Sequence, residues 1–252
     1  MSKRAPDHAA QIADHLRAFK LTTMADELVP RLVTAGCESA LPTLCEVLAL
    51  EEEARHTRRV QRLLRAAKLP EGKCFETFDE SRLPSAVVRK LHELRSGDFL
   101  DEAINVLAFG LPGAGKSHAL AALGRVLVEQ GRSVLWAPTY SLIQELLAAK
   151  RDLDLPRKLR KLDTFELVVL DDIGYVKQTP EEAEVLFTLL AERYERRSTA
   201  LTSNLVFSDW DRIFKNKMAT SAAIDRLIHH SVVLEFDVPS YRTEKAKSRK
   251  TA

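Results

Sequence analysis

The chain has 252 residues, 45% of them hydrophobic, and its 38 Lys+Arg against 36 Asp+Glu leave a net charge of +2. That length can hold one sizeable domain and a smaller one, and that apolar content excludes a disordered chain. A near-neutral balance excludes any case for nucleic-acid binding from net charge, so such a case must come from local clusters. Cys37, Cys45 and Cys74 are far apart, without C-x-x-C or metal-ligand spacing, and fit incidental thiols of a reducing compartment. The first residues lead into no apolar signal region and no stretch is long enough to span a bilayer, so a cytoplasmic protein is expected.

Residues 8–19 and 22–35 have the spacing of two amphipathic helices, with Ile12, Leu16 and Phe19 on one face of the first. Thr22 or Thr23 can cap the second, and Pro30 is expected to kink or end it. A longer helix should begin near Pro42, a residue suited to a first turn. Its apolar stripe runs through Leu44, Val47 and Leu48 and resumes at Val60, Leu63, Leu64 and Ala67. Arg55, Arg58, Arg59, Arg62, Arg65 and Lys68 make its outer face basic. A solvated surface, a DNA contact and a protein contact all suit such a face. Leu69-Pro70-Glu71-Gly72 ends the helix. The expected domains are therefore a helical one over 1–72, a larger one over 73–243, and a basic tail over 244–252.

Residues 75–83 read as a connecting arm anchored by Phe75 and Phe78, and 84–97 as a helix with Val87, Val88, Leu91 and Leu94 inward. Ile104 to Phe109 is then a short apolar run, as a buried parallel strand should be. It leads into Gly110-Leu111-Pro112-Gly113-Ala114-Gly115-Lys116-Ser117, followed by His118, which fits the phosphate-binding pattern G-x-x-x-x-G-K-[ST]. Residues 117–130 continue as a helix that stops at Gly131. The glycines let backbone N–H groups approach phosphate oxygens, and the new helix aims its N-terminus at the same anion. Lys116 supplies a mobile charge for the β/γ-phosphates, and the Ser117 hydroxyl can ligate Mg²⁺. Gly-rich turns alone are common; a full match between strand and helix indicates a nucleoside triphosphate site.

A second strand is expected over 133–137 and a helix over 139–149. The segment 150–161, with Lys150, Arg151, Arg157, Lys158, Arg160 and Lys161, is the densest basic cluster of the larger domain. Residues 165–172 are an apolar strand ending in Asp171-Asp172, the Walker B pattern. Asp171 would hold Mg²⁺ and Asp172 would polarise the attacking water. A helix over 180–197 opens with Pro180 and two acids, as the helix dipole favours. A strand at 200–204 ends in Asn204, which on a central strand presents an amide to a γ-phosphate but on its own is more commonly a turn residue. Residues 210–214, a helix over 221–230 and a strand over 232–236 complete the chain. Strands alternating with helices indicate a three-layer α/β domain with a parallel sheet.

Six blocks, in order, resemble the IstB-type helper ATPases of bacterial transposons. They are Gly110 to His118, Asp171-Asp172-Ile173-Gly174-Tyr175, Thr202-Ser203-Asn204-Leu205, Ser208-Asp209-Trp210, Asp225-Arg226-Leu227-Ile228-His229-His230 and Ser240-Tyr241-Arg242. The similarity covers about residues 10–243, and the family's relatives, the DnaC-type helicase loaders, are AAA+ proteins as well. It implies an AAA+ P-loop ATPase with a parallel sheet between helical layers, preceded by a small all-α domain. It also implies that Asn204 senses the γ-phosphate, that Arg226 is an arginine finger reaching a neighbour's ATP, and that Arg242 is a second nucleotide-sensing arginine. On its own sequence, Arg226 is better read as a salt-bridge partner of Asp225 or Glu235. His229 and His230 have no metal-type partners nearby in sequence and are assigned to packing. Leu111, Ala114 and Ser117 stand where Pro, Thr and Thr are usual, and none removes a needed group. Asp172 replaces the glutamate of most AAA+ proteins, which implies slow hydrolysis.

The resemblance thus implies an ATPase using ATP and Mg²⁺ that assembles as a homo-oligomer on double-stranded DNA and helps a transposase choose its target. Charge density nominates Lys150, Arg151, Arg157, Lys158, Arg160, Lys161 and Lys177 for the DNA contact. A helicase loader would share every nucleotide motif but differ in its partner and bind single strands, with Tyr175 a candidate stacking residue. A small-molecule P-loop kinase would use Lys116 and Asp171 without a neighbour's finger or a helical domain.

Overall fold

The computed structural model describes residues 7–174, 178–205, 209–210 and 224–241, in two compact units divided after Arg62. In the first unit, α1 (His8–Ala18) and α2 (Thr22–Thr34) pack with the start of α3 (Leu41–Ala67) around Ile12, Leu16 and Ala25. Asp7 caps α1 by accepting from the Ala10 N–H. α2 departs from expectation, because Leu21 holds the cap position without a side-chain bond and the helix runs through Pro30 to Thr34. Leu28 and Val29, just before the proline, pack on the core of this unit, and their burial carries the helix past a residue that lacks an N–H.

The second unit holds a five-stranded sheet of β1 (Asn105–Gly110), β2 (Val134–Pro138), β3 (Leu167–Ile173), β4 (Ser198–Ser203) and β5 (Ser231–Phe236). Its strand order is β2-β3-β4-β1-β5 and every pairing is parallel. Strand residues alternate between two cores, as a pleat with both faces covered requires. Val106, Ala108, Val134, Trp136, Leu167 and Val169 meet α4 (Ser85–Leu94) and α5 (Lys116–Glu129). Leu107, Phe109, Leu135, Val168, Leu170 and Leu201 meet α6 (Thr139–Arg151), α7 (Leu155–Asp163) and α8 (Pro180–Arg193). The parallel α/β architecture is as expected. α7 occupies part of the basic segment to which the sequence assigned no element.

α8 is shorter than the expected 180–197. It starts in a capping box, Thr179 with Glu182, and ends at Arg193, which is 1% exposed. The Arg193 guanidinium donates to the carbonyls of Leu162, Phe165 and Ser198, and so holds the chain in a reversal toward β4. Burial pushes its pKa down to about 10, against the pull of Asp163 at 4.0 Å.

Candidate nucleotide-binding site

Three neighbouring parallel strands, β3, β4 and β1, end on the same edge of the sheet, and each delivers one part of the site. In an open α/β sheet this carboxyl edge, near the point where strand order reverses, is where ligands bind. β1 runs directly into the phosphate loop. Gly110 has φ of +146°, and a Cβ there would lie 2.4 Å from the Phe236 carbonyl oxygen on the paired β5. Gly113 has φ of +82°, and a Cβ there would lie 2.3 Å from Ser240 Oγ. At Gly110 only glycine fits beside that backbone oxygen, and at Gly113 the left-handed conformation favours glycine.

Lys116, 5% exposed, donates from Nζ to the carbonyls of Gly110 (2.7 Å) and Leu111 (2.9 Å) and to Asn204 Oδ1 (2.7 Å). The loop lysine and the amide at the end of β4 are thus in direct contact. Ser117 Oγ donates to Asp171 Oδ1 at 2.7 Å. Two residues of β3, Asp171 and Asp172, oppose the single Thr202 of β4, because the register shifts between Leu170 and Ile173. This is a β-bulge, a device that re-aims side chains at strand ends. Thr202 Oγ1 clamps it, donating to Asp171 Oδ1 at 2.7 Å and accepting from the Asp172 N–H at 2.8 Å. Asp172 adopts φ of +60°, an uncommon conformation for a residue with a side chain, and is exposed. Strict alternation would send successive side chains to opposite faces; the bulge brings both acids to the site. Nothing in the local sequence marks Thr202 for this part.

Pro112, Gly113, Ala114, Gly115, Lys116, Ser117 and His118 line a cavity of about 340 Å³ together with Asp172 and Asn204. Leu111 lends its carbonyl, while its side chain is 63% exposed. The far wall is Phe78, Arg82, Leu83, Val238 and Tyr241, with the Arg82 guanidinium 4.9 Å over the Tyr241 ring. Tyr241 N–H donates to the Gly113 carbonyl at 3.0 Å, joining that wall to the loop. His118 Nε2 lies 3.0 Å from the Cys74 carbonyl and 3.2 Å from Thr77 Oγ1, which fixes the connecting arm beside the helix start. An apolar and aromatic wall facing a cationic, N–H-rich loop suits a planar base joined to phosphates. Ser117 Oγ and the Asp171 carboxylate, hard oxygen donors in contact, fit Mg²⁺.

Other candidates lie apart from the cavity. Arg226 sits in the helical stretch 224–228, half-buried, its guanidinium 4.8 Å over the Phe187 ring. One of its nitrogens, Nη1, is buried without a hydrogen-bond partner, and neither Asp225 nor Glu235 pairs with it among the described residues. In the basic segment, Lys150 pairs with Glu184 (2.6 Å), Lys158 with Glu145 (2.5 Å) and Arg157 with Asp154 (3.4 Å). Arg151, Arg160 and Lys161 are exposed. Lys177, Tyr175 and Arg242 lie outside the described residues. The histidine assignment needs correction. His229 and His230 are exposed rather than packed, and Glu195, a metal-type partner, stands beside both. That neighbour is brought in by the fold from 34 positions earlier than His229 and was invisible to local spacing.

Sheet order, phosphate loop and acidic strand end together define a P-loop α/β domain. A DnaC helicase loader shares the fold, with a TM-score of 0.56 and 19% identity over 67% of this chain and 99% of that one. The chain belongs to the IstB-like ATP-binding proteins, whose family model matches residues 13–250. It is 43% identical over 197 residues to a protein of Sinorhizobium fredii named as an insertion sequence ATP-binding protein, covering 78% of this chain and 66% of that protein. It is 38% identical over 204 residues to an insertion sequence protein so named from Pseudomonas aeruginosa, covering 81% and 77%. Among the described residues, no helix is long and apolar enough to cross a membrane.

Proposed function

We propose that this chain is an ATP-hydrolysing transposition helper that assembles on duplex DNA when ATP is bound and acts on a partner transposase. The carrying observation is the convergence of Lys116, Ser117 and Asn204 with the Asp171–Asp172 bulge at one sheet edge. ATP entering the cavity takes Lys116 Nζ from its carbonyl partners onto the β/γ-phosphates, and Asn204 follows the γ-phosphate. Mg²⁺ held by Ser117 and Asp171 would offset phosphate charge. Asp172 orients a water whose oxygen attacks the γ-phosphorus as the bond to the β–γ bridging oxygen breaks, giving ADP and phosphate. The unpartnered Arg226 nitrogen, on a residue that does not line its own subunit's cavity, suits a role at a neighbour's site. Arg151, Arg160 and Lys161 are the cations most available to DNA phosphates, and the first helical unit is the candidate surface for the transposase.

The test is assembly. Lys116→Ala should abolish ATP binding and the ATP-dependent gain in mass seen by light scattering on a sizing column. A wild-type chain that stays monomeric in saturating ATP and DNA would overturn the proposal and favour a kinase-like enzyme.

A further inference from the structure

Two turns meet beyond the sheet edge at which α8 ends. Glu195 stands in the turn between α8 and β4, and His229 and His230 in the turn between the Arg226 segment and β5. Glu195 Oε1 lies 3.8 Å from His229 Nδ1 and 3.9 Å from His230 Nε2. One ligand atom from each of the three residues lies within 4.8 Å of the others, and the two imidazoles stand edge-to-face with centroids 4.2 Å apart. At these separations the carboxylate hydrogen-bonds to neither ring. It is close enough to both to share an ion. Tyr194 Oη, 2.9 Å from the same His229 nitrogen, is an adjoining hydroxyl that the nitrogen would exchange for a metal.

We propose that Glu195, His229 and His230 bind one divalent transition-metal ion of the zinc type, with water completing its coordination. Two imidazoles and one carboxylate form a ligand set suited to zinc, and imidazole disfavours the harder Mg²⁺ and Ca²⁺. Nitrogen and oxygen ligands placed ~2.0–2.2 Å from a tetrahedral ion stand about 3.4 Å apart. The three atoms must therefore close by about 1.4 Å at most, which exposed side chains achieve by rotation about their χ angles. The ion would tie the turn after α8 to the turn that follows Arg226, and so fix the backbone bearing that arginine. This consequence rests on the role proposed for Arg226; metal binding itself does not.

The experiment uses the untagged full-length chain without nucleotide, titrated with Zn²⁺ against a chromophoric chelator and with Co²⁺ by absorption. One Zn²⁺ per chain is expected, with a Co²⁺ spectrum lacking thiolate charge-transfer bands. Glu195→Gln, His229→Asn and His230→Asn should each weaken Zn²⁺ binding at least about tenfold, the loss typical even for groups that only support a ligand. A variant with Cys37, Cys45 and Cys74 all changed to Ser should bind as the wild type does. Stoichiometric binding that survives both histidine variants, binding abolished in the cysteine variant, or no binding would each overturn the site. Melting curves in chelator separate a missing ligand from a failure to fold, and activity in ATP is not needed for the readout.

Discussion

Thr202 is the residue on which the two acids depend. Its single hydroxyl both donates to the Asp171 carboxylate and accepts from the Asp172 backbone, so it holds the bulge and orients one acid directly. Valine at this position keeps the shape and removes both bonds. Each such bond is worth about 1 kcal/mol, so Thr202→Val should slow ATP hydrolysis roughly tenfold or more with ATP affinity little changed. Asp172→Asn removes the carboxylate proposed to orient and polarise the attacking water, and should lower kcat about 10²-fold while ATP still binds. Single-turnover assays with a fluorescent ATP analogue separate the two quantities. Wild-type hydrolysis by Asp172→Asn would move the water-orienting role to another residue.

α7 turns Leu155, Leu159 and Leu162 into the core and leaves Arg157, Arg160 and Lys161 outside, an amphipathic pattern that charge alone had obscured. Its sequence looked like a uniform basic cluster, yet Glu145, Glu184 and Asp154 engage half of the described cations. Changing Arg151, Arg160 and Lys161 together to alanine should flatten the dependence of log K on log salt by up to about 0.9 for each DNA phosphate no longer neutralised. An unchanged slope in fluorescence anisotropy would remove this element from the DNA surface. The same contrast explains what was legible. The phosphate loop, the acid pair and the strand–helix alternation are local patterns that sequence carries by itself. The bulge needs β4 beside β3, the base-side wall joins Arg82 to Tyr241 across the domain, and the Glu195 cluster needs two turns to meet. Spacing along one segment records none of these.

At the scale of the whole molecule, the described site is one-sided. The cavity wall contains the loop lysine, the amide and the acid but no arginine from the 224–228 segment. Arg226 instead rests on Phe187 with a buried nitrogen unpartnered, a cost that a neighbour's phosphates would relieve. If Arg226 works in trans, Arg226→Ala and Asp172→Asn fail for different reasons. The first keeps its own acids but offers no arginine to its neighbour; the second offers the arginine but cannot hydrolyse its own ATP. Mixed one to one, random assemblies place an intact site against an intact arginine at about a quarter of interfaces, so up to about a quarter of wild-type turnover should return. Each variant alone should remain near background. A mixture no more active than its separate components, while light scattering finds both chains in one assembly, would confine Arg226 to its own subunit.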